Sequence, residues 1–116
     1  LKPGDIYFVS LDPTFGREQQ GYRPVFVITT EAFNRMTRSP IIAAITTGGA
    51  FARRKGLTVD LPLVGMKTRG SVRVDQIRTL DLSARNARFV EAAPQGAIDE
   101  VLDRIVALFD SPHPAA

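Results

Sequence analysis

The sequence predicts a mainly β fold, a small barrel or sandwich, closed by one helix at its C-terminal end. Three observations carry this. Short β-branched runs recur with glycine and proline between them, no helical pattern alternates with those runs, and one strongly amphipathic stretch occupies residues 95–109. A length of 116 residues suits a single domain over residues 1–110, with 111–116 as a proline-bearing, flexible tail. Hydrophobic residues at 44% and charged residues at 23% match a globular chain and exclude a disordered one.

Residues 5–11 alternate, with Ile6, Phe8 and Ser10 on one side and Tyr7, Val9 and Leu11 on the other, as in a strand buried on both faces. Residues 12–22 are polar and contain glycine, and a connection this long in so small a domain is usually functional or mobile. A second strand is expected over 24–30, with Pro24 at its first position, where a missing N–H is tolerated. One or two helical turns over 31–36 lead to a third strand over 41–46. After the turn Gly48-Gly49, further short strands are expected at 57–61, 71–75, 78–82 and 88–92. In the C-terminal stretch, Ile98, Val101, Leu102, Ile105, Leu108 and Phe109 fall on one helical face, which should pack on the barrel. Asp99, Glu100 and Asp103 lie in the early turns, toward the positive end of the helix dipole.

No run approaches the roughly 18 apolar residues that cross a bilayer, and Leu1-Lys2-Pro3-Gly4-Asp5 is no signal peptide, so a cytoplasmic location away from the membrane is expected. The absence of cysteine removes thiolate chemistry and sulfur-ligated metal. The one histidine, His113, lies in the tail, which removes histidine catalysis and a histidine-rich metal site. No cofactor and no metal are expected. Formal charge is 15 − 12 = +3 overall, while residues 53–78 hold seven basic residues against Asp60 and Asp75, or 7 − 2 = +5. A solvated charged face and a polyanion site both account for that excess.

Three stretches put polar residues beside strands: Gly21-Tyr22-Arg23-Pro24, Ile45-Thr46-Thr47-Gly48-Gly49, and Gly70-Ser71-Val72-Arg73-Val74-Asp75-Gln76. Arg23 precedes proline, so its backbone is biased toward the extended region and its side chain has a defined direction. Arg73 and Asp75 are two apart and project from one face of a strand, within reach of one bound group. Thr46 and Thr47 end an apolar run before two glycines, whose backbone amides can approach a phosphate. Taken singly, each also reads as an ordinary surface cation, ion pair or turn. No P-loop, Gly-x-Ser-x-Gly elbow or His-Glu-x-x-His is present.

The order of these motifs resembles one family. Gly4-Asp5-Ile6, Ser10-Leu11-Asp12-Pro13-Thr14, Glu18-Gln19-Gln20-Gly21 with Arg23-Pro24, Ala32-Phe33-Asn34-Arg35, Thr46 with Gly48-Gly49, Phe51-Ala52-Arg53, Val72-Arg73-Val74-Asp75-Gln76 with Arg78-Thr79 and Asp81, and Ala84-Arg85 are similar to the Kid/PemK and MazF toxins of toxin–antitoxin systems. The resemblance extends over residues 4–109, on the side of the Kid/PemK and ChpB-like members. It implies an SH3-like small β-barrel of the CcdB/MazF type, a homodimer, and a sequence-selective, metal-independent endoribonuclease acting on single-stranded RNA. It further implies a cognate acidic antitoxin that covers the site, and contact with operator DNA only through the antitoxin complex.

Residue by residue, the resemblance gives catalytic roles to Arg23, Thr46, Arg73 and Asp75. It gives substrate contacts to Arg17, Thr47, Gly48, Gly49, Phe51, Arg53 and Gln76. Asp75 would activate a ribose 2′-hydroxyl, and the products would carry 2′,3′-cyclic phosphate and 5′-hydroxyl ends. Two positions depart from the family pattern: Arg17 stands where a histidine is usual, and Ala50 where asparagine is usual. A gyrase-poisoning toxin of the CcdB type and a non-catalytic nucleic-acid-binding module are the alternative readings.

Overall fold

The computed structural model describes residues 1–48, 55–62 and 64–110. Among these, the elements run β1 (Asp5–Ser10), β2 (Tyr22–Val27), α1 (Glu31–Thr37), β3 (Ile41–Thr46), β4 (Thr58–Leu61), β5 (Gly70–Thr79), β6 (Arg88–Ala92) and α2 (Gln95–Phe109). The strands form one antiparallel sheet in the order β4-β5-β3-β2-β1-β6. It curls into a half-barrel with a C-terminal helix, in keeping with the expected mainly β class. Among the described residues no helix is long and apolar enough to cross a membrane.

Alternation along the strands fills both faces of the sheet. Ile6, Phe26, Ala43, Ile45, Val59, Val72 and Val74 join Ala97 and Val101 of α2 in one core. Val9, Leu11, Val25, Val27, Ile42 and Ala44 meet Leu80 and Leu82 in the other. The expectation that β1 is buried on both sides therefore holds, with Ile6 in the first core and Val9 in the second. Gly4 makes the seat for α2: its φ is +87°, and a Cβ there would lie 2.6 Å from the Ile98 side chain.

The two edges of the sheet are tied together by Glu91 of β6. Its carboxylate accepts from the backbone N–H of Lys67 (3.0 Å) and from the N–H and hydroxyl of Thr68, in the connection between β4 and β5. Burial alone would raise the Glu91 pKa; the Thr68 hydroxyl, the two amides and the charge of Lys67 outweigh it and hold the carboxyl below its ordinary value.

Four expectations need correction. The strands expected at 71–75 and 78–82 are one strand, β5, because both halves pair with β3 and neither has a turn to end it. Pro24 is the third residue of β2 rather than the first; the β2–β3 register runs only from Val27 to Val25, so the proline lies where pairing with β3 has ended. The acids of α2 lie in its early turns but begin only at the fifth residue, Asp99, past the first turn where the helix dipole is felt, and Asp99 accepts instead from Gln95 Nε2 (2.9 Å). Finally, α2 packs a narrower stripe than expected: Ala97 and Val101 are buried and Ile98 and Ile105 pack against the first core, while Leu102, Leu108 and Phe109 remain exposed. The expected tail, 111–116, lies outside the described residues.

Candidate active site

The site is built on an irregularity in β5. Along β3, Ala43 pairs with Ile77 and Ile45 pairs with Val72, so 45 − 43 = 2 steps on β3 match 77 − 72 = 5 on β5. Three surplus residues are thus bulged out opposite Ala44. Bulges re-aim side chains and recur beside active sites. This one lies within residues 73–76, the stretch that carries Arg73, Asp75 and Gln76.

Arg73 and Asp75 meet in a two-pronged ion pair. Arg73 Nε donates to Asp75 Oδ1 (2.8 Å) and Nη2 donates to Oδ2 (2.7 Å). The arginine side chain is 13% exposed and the carboxylate 27%, so the acid presents the more open side of the pair. The hydrogen bond to Asp75 raises the Arg73 pKa above its already high ordinary value, against a smaller opposing effect of burial. Arg73 is thus held as a cation beside the carboxylate.

Register places two more of the predicted residues on the same face. Val25 is paired with Ala44, and alternation along each strand puts Arg23 on the face of Val25 and Thr46 on the face of Ala44. Thr46 pairs with Ser71 of β5, two residues before Arg73. Val25, Ile42 and Ala44 of the second core share this face, whereas Val72 and Val74 point into the first core. Arg23, Thr46 and Arg73 accordingly stand at one end of one face. Thr46 is buried, and its Oγ1 accepts the Gly48 N–H (3.2 Å), while its hydroxyl hydrogen has no acceptor among the described residues. Arg23 is steadied by donation from Nε to the Gln20 carbonyl (2.9 Å).

Gly70, at the start of β5, makes this packing feasible. Its φ is +124°, and a Cβ would lie 2.7 Å from the Thr46 carbonyl oxygen. Only glycine lets β5 approach the end of β3 so closely.

The long β1–β2 connection borders the site. Gln19 N–H donates to Gln76 Oε1 (3.3 Å), and a cavity of about 210 Å³ opens between them, lined by Glu18, Gln19, Asp75, Gln76 and Arg78 over a floor of Ile42 and Ala44. Two arginines hold the base of the connection: Arg78 Nη1 donates to the Leu11 carbonyl (3.3 Å), and Arg85 Nη1 to the carbonyls of Ser10 (2.9 Å) and Asp12 (2.8 Å). A larger, apolar groove of about 780 Å³ lies elsewhere, between Lys2, Ile28, Phe33 and the Ile98–Leu102 side of α2. It contains none of the paired or convergent polar groups found at β5.

Of the predicted site residues, the structure joins Arg73 to Asp75 and sets Arg23 and Thr46 on their face, with Gln76 at the adjoining cavity. Thr47 and Gly48 follow, exposed, at the end of β3. Arg17 is exposed in the β1–β2 connection and makes no hydrogen bond or ion pair among the described residues. Gly49, Phe51 and Arg53, like Ala50, lie outside the described residues. Glu18, Gln19, Gly70, Arg78 and Arg85 received no role from the sequence reading, although Glu18, Gln19, Arg78 and Arg85 stand inside its motif strings. Among the described residues no group of three or more His, Cys, Asp or Glu is placed to hold a metal ion.

The family described as PemK-like, MazF-like toxin of type II toxin–antitoxin system matches residues 2–109, and the chain belongs to it. It is 50% identical over 105 residues to Endoribonuclease PemK of Escherichia coli, covering 90% of this chain and 79% of that protein. It is 40% identical over 108 residues to Endoribonuclease toxin ChpB of Escherichia coli strain K12, covering 92% of each. The crystal structure of MazF (Form-I) from Deinococcus radiodurans superposes with a TM-score of 0.82 at 28% identity, over 94% of this chain and 96% of that one.

Proposed function

We propose that this protein is the endoribonuclease toxin of a type II toxin–antitoxin pair, cutting single-stranded RNA with Asp75 as base. The observation that carries the reading is the two-pronged Arg73–Asp75 pair on the β5 bulge. A carboxylate offers about four lone-pair positions, and Arg73 takes two. The remainder, on the open side, can accept the proton of a ribose 2′-hydroxyl. An incoming phosphate competes with Asp75 for the same guanidinium, so substrate binding itself frees the base.

In the reaction the 2′-oxygen attacks the adjacent phosphorus as its proton passes to Asp75, and the bond to the 5′-oxygen of the next nucleotide breaks. The leaving oxygen takes a proton from water. The ends are a 2′,3′-cyclic phosphate and a 5′-hydroxyl. Arg73 and Arg23 bear on the phosphorane charge, and the hydroxyl hydrogen of Thr46 is donated to a non-bridging oxygen. Arginine at position 17 adds a cation but no titrating group. The protein works in the cytoplasm as a homodimer whose site a cognate acidic antitoxin covers, and it reaches operator DNA only through that complex. RNA with every 2′-hydroxyl methylated should bind and remain whole, measured by filter binding and gel; its cleavage would reject the 2′-oxygen as nucleophile.

A further inference from the structure

Three adjacent strands place one side chain each in a row on the face of the sheet opposite Arg23. Arg88 of β6 is directly across from Phe8 of β1, and Ser10, two residues further along β1, is across from Tyr22 of β2. Arg88 Cζ stands 5.8 Å from the Phe8 ring centroid, and the Phe8 and Tyr22 rings stack with centroids 5.8 Å apart and planes 22° apart. No core covers the row. Tyr22 is 71% exposed, Arg88 is exposed, and the Arg88 side chain makes no hydrogen bond or ion pair among the described residues. A half-buried Phe8 under an exposed Tyr22 contributes only modestly to a sheet.

The position of the row gives it a second use. It runs β6 to β1 to β2, and the next strand in the sheet is β3, whose end carries Thr46. Its last ring, Tyr22, is the residue before Arg23, so the two side chains leave the same end of β2 toward opposite faces. Building on the RNA-cleaving reading above, we infer that Tyr22, backed by Phe8 and Arg88, is a stacking platform for a nucleobase adjoining the phosphate held at Arg23. A single strand crossing the end of β2 meets a cation on one side and an aromatic plane on the other. That is the combination by which proteins hold unpaired nucleic acid, and stacking accepts any base because every base has a π-face. Tyr22 pre-stacked on Phe8 loses little side-chain freedom on binding.

The test uses RNA oligonucleotides carrying the fluorescent adenine analogue 2-aminopurine at successive positions around the cut site, bound to the uncleaving Asp75→Asn protein. One position next to the cut should be quenched by stacking, and the quenching should vanish in Asp75→Asn/Tyr22→Leu and persist in Asp75→Asn/Tyr22→Phe. In the active protein, Tyr22→Leu should raise KM about tenfold with kcat nearly constant, and Tyr22→Phe should restore it. Leucine keeps an apolar contact with Phe8, so loss of fold is controlled by thermal denaturation. Quenching that survives Tyr22→Leu, or a KM indifferent to position 22, would overturn the platform while leaving the nuclease intact. RNA that is quenched by Tyr22 yet never cut would keep the platform and reject the nuclease.

Discussion

Two groups of arginines in this chain look alike in sequence and behave differently in the fold. Arg78 and Arg85 point inward at the base of the β1–β2 connection and spend their hydrogen bonds on the carbonyls of Ser10, Leu11 and Asp12. Arg23 and Arg73 stand at the open end of the sheet, and Arg73 spends its bonds on a carboxylate that is itself exposed. The difference shows that counting positive charge does not find a site. A guanidinium that bonds the backbone carbonyls of a distant segment is a structural clamp, whereas one held by a displaceable carboxylate can be handed to a phosphate.

The comparison can be broken most severely at Asp75. Asp75→Asn should lower the cleavage rate by about 10²–10⁴, the usual contribution of a positioned base, with the thermal midpoint close to wild type. Arg73→Ala should cost about 10²–10³ in kcat, typical for loss of one donor to a charged transition state. Arg73→Lys should recover little of it, because an ammonium cannot reproduce the two-pronged geometry. At the clamp the effect should appear in the fold instead. Arg85→Ala should reduce stability by about 2 kcal/mol in urea denaturation, leaving two carbonyls without their charged donor. Cleavage by the protein that remains folded should change far less than at Arg73. An Arg85→Ala protein as inactive as Arg73→Ala and equally stable would erase the distinction.

The smallest effect concerns pH. Glu91 has a folded pKa below its ordinary value, so its tie to Lys67 and Thr68 stabilises fully above the ordinary carboxyl pKa. That contribution is lost as pH falls through the lowered folded value. Denaturation midpoints should therefore drop on acidification more for wild type than for Glu91→Gln. Parallel acid profiles would show that the edge-to-edge tie contributes nothing.

Legibility in the sequence followed the range of the interactions involved. The strand at Ile41–Thr46, the strand at Arg88–Ala92 and the helix at Gln95–Phe109 were readable because β-branching and helical periodicity are local signals. Arg73 and Asp75 were readable as a pair for the same reason, being two residues apart on one strand. The bulge that aims them was not, because it exists only in the pairing of β5 with β3. Nor were the clamps: Arg78 and Arg85 find their carbonyl partners 67 and 75 or 73 residues away, and nothing near them in sequence marks those partners.

The measurement that bears most directly on the central claim is incubation of the purified protein with a long mixed-sequence single-stranded RNA in EDTA, followed by mapping of the cuts and their ends. Discrete cuts with 2′,3′-cyclic phosphate and 5′-hydroxyl termini, absent with Asp75→Asn, are the predicted result. RNA that stays whole, or that is cut identically by Asp75→Asn, would contradict the assignment of the Arg73–Asp75 pair as the catalytic centre.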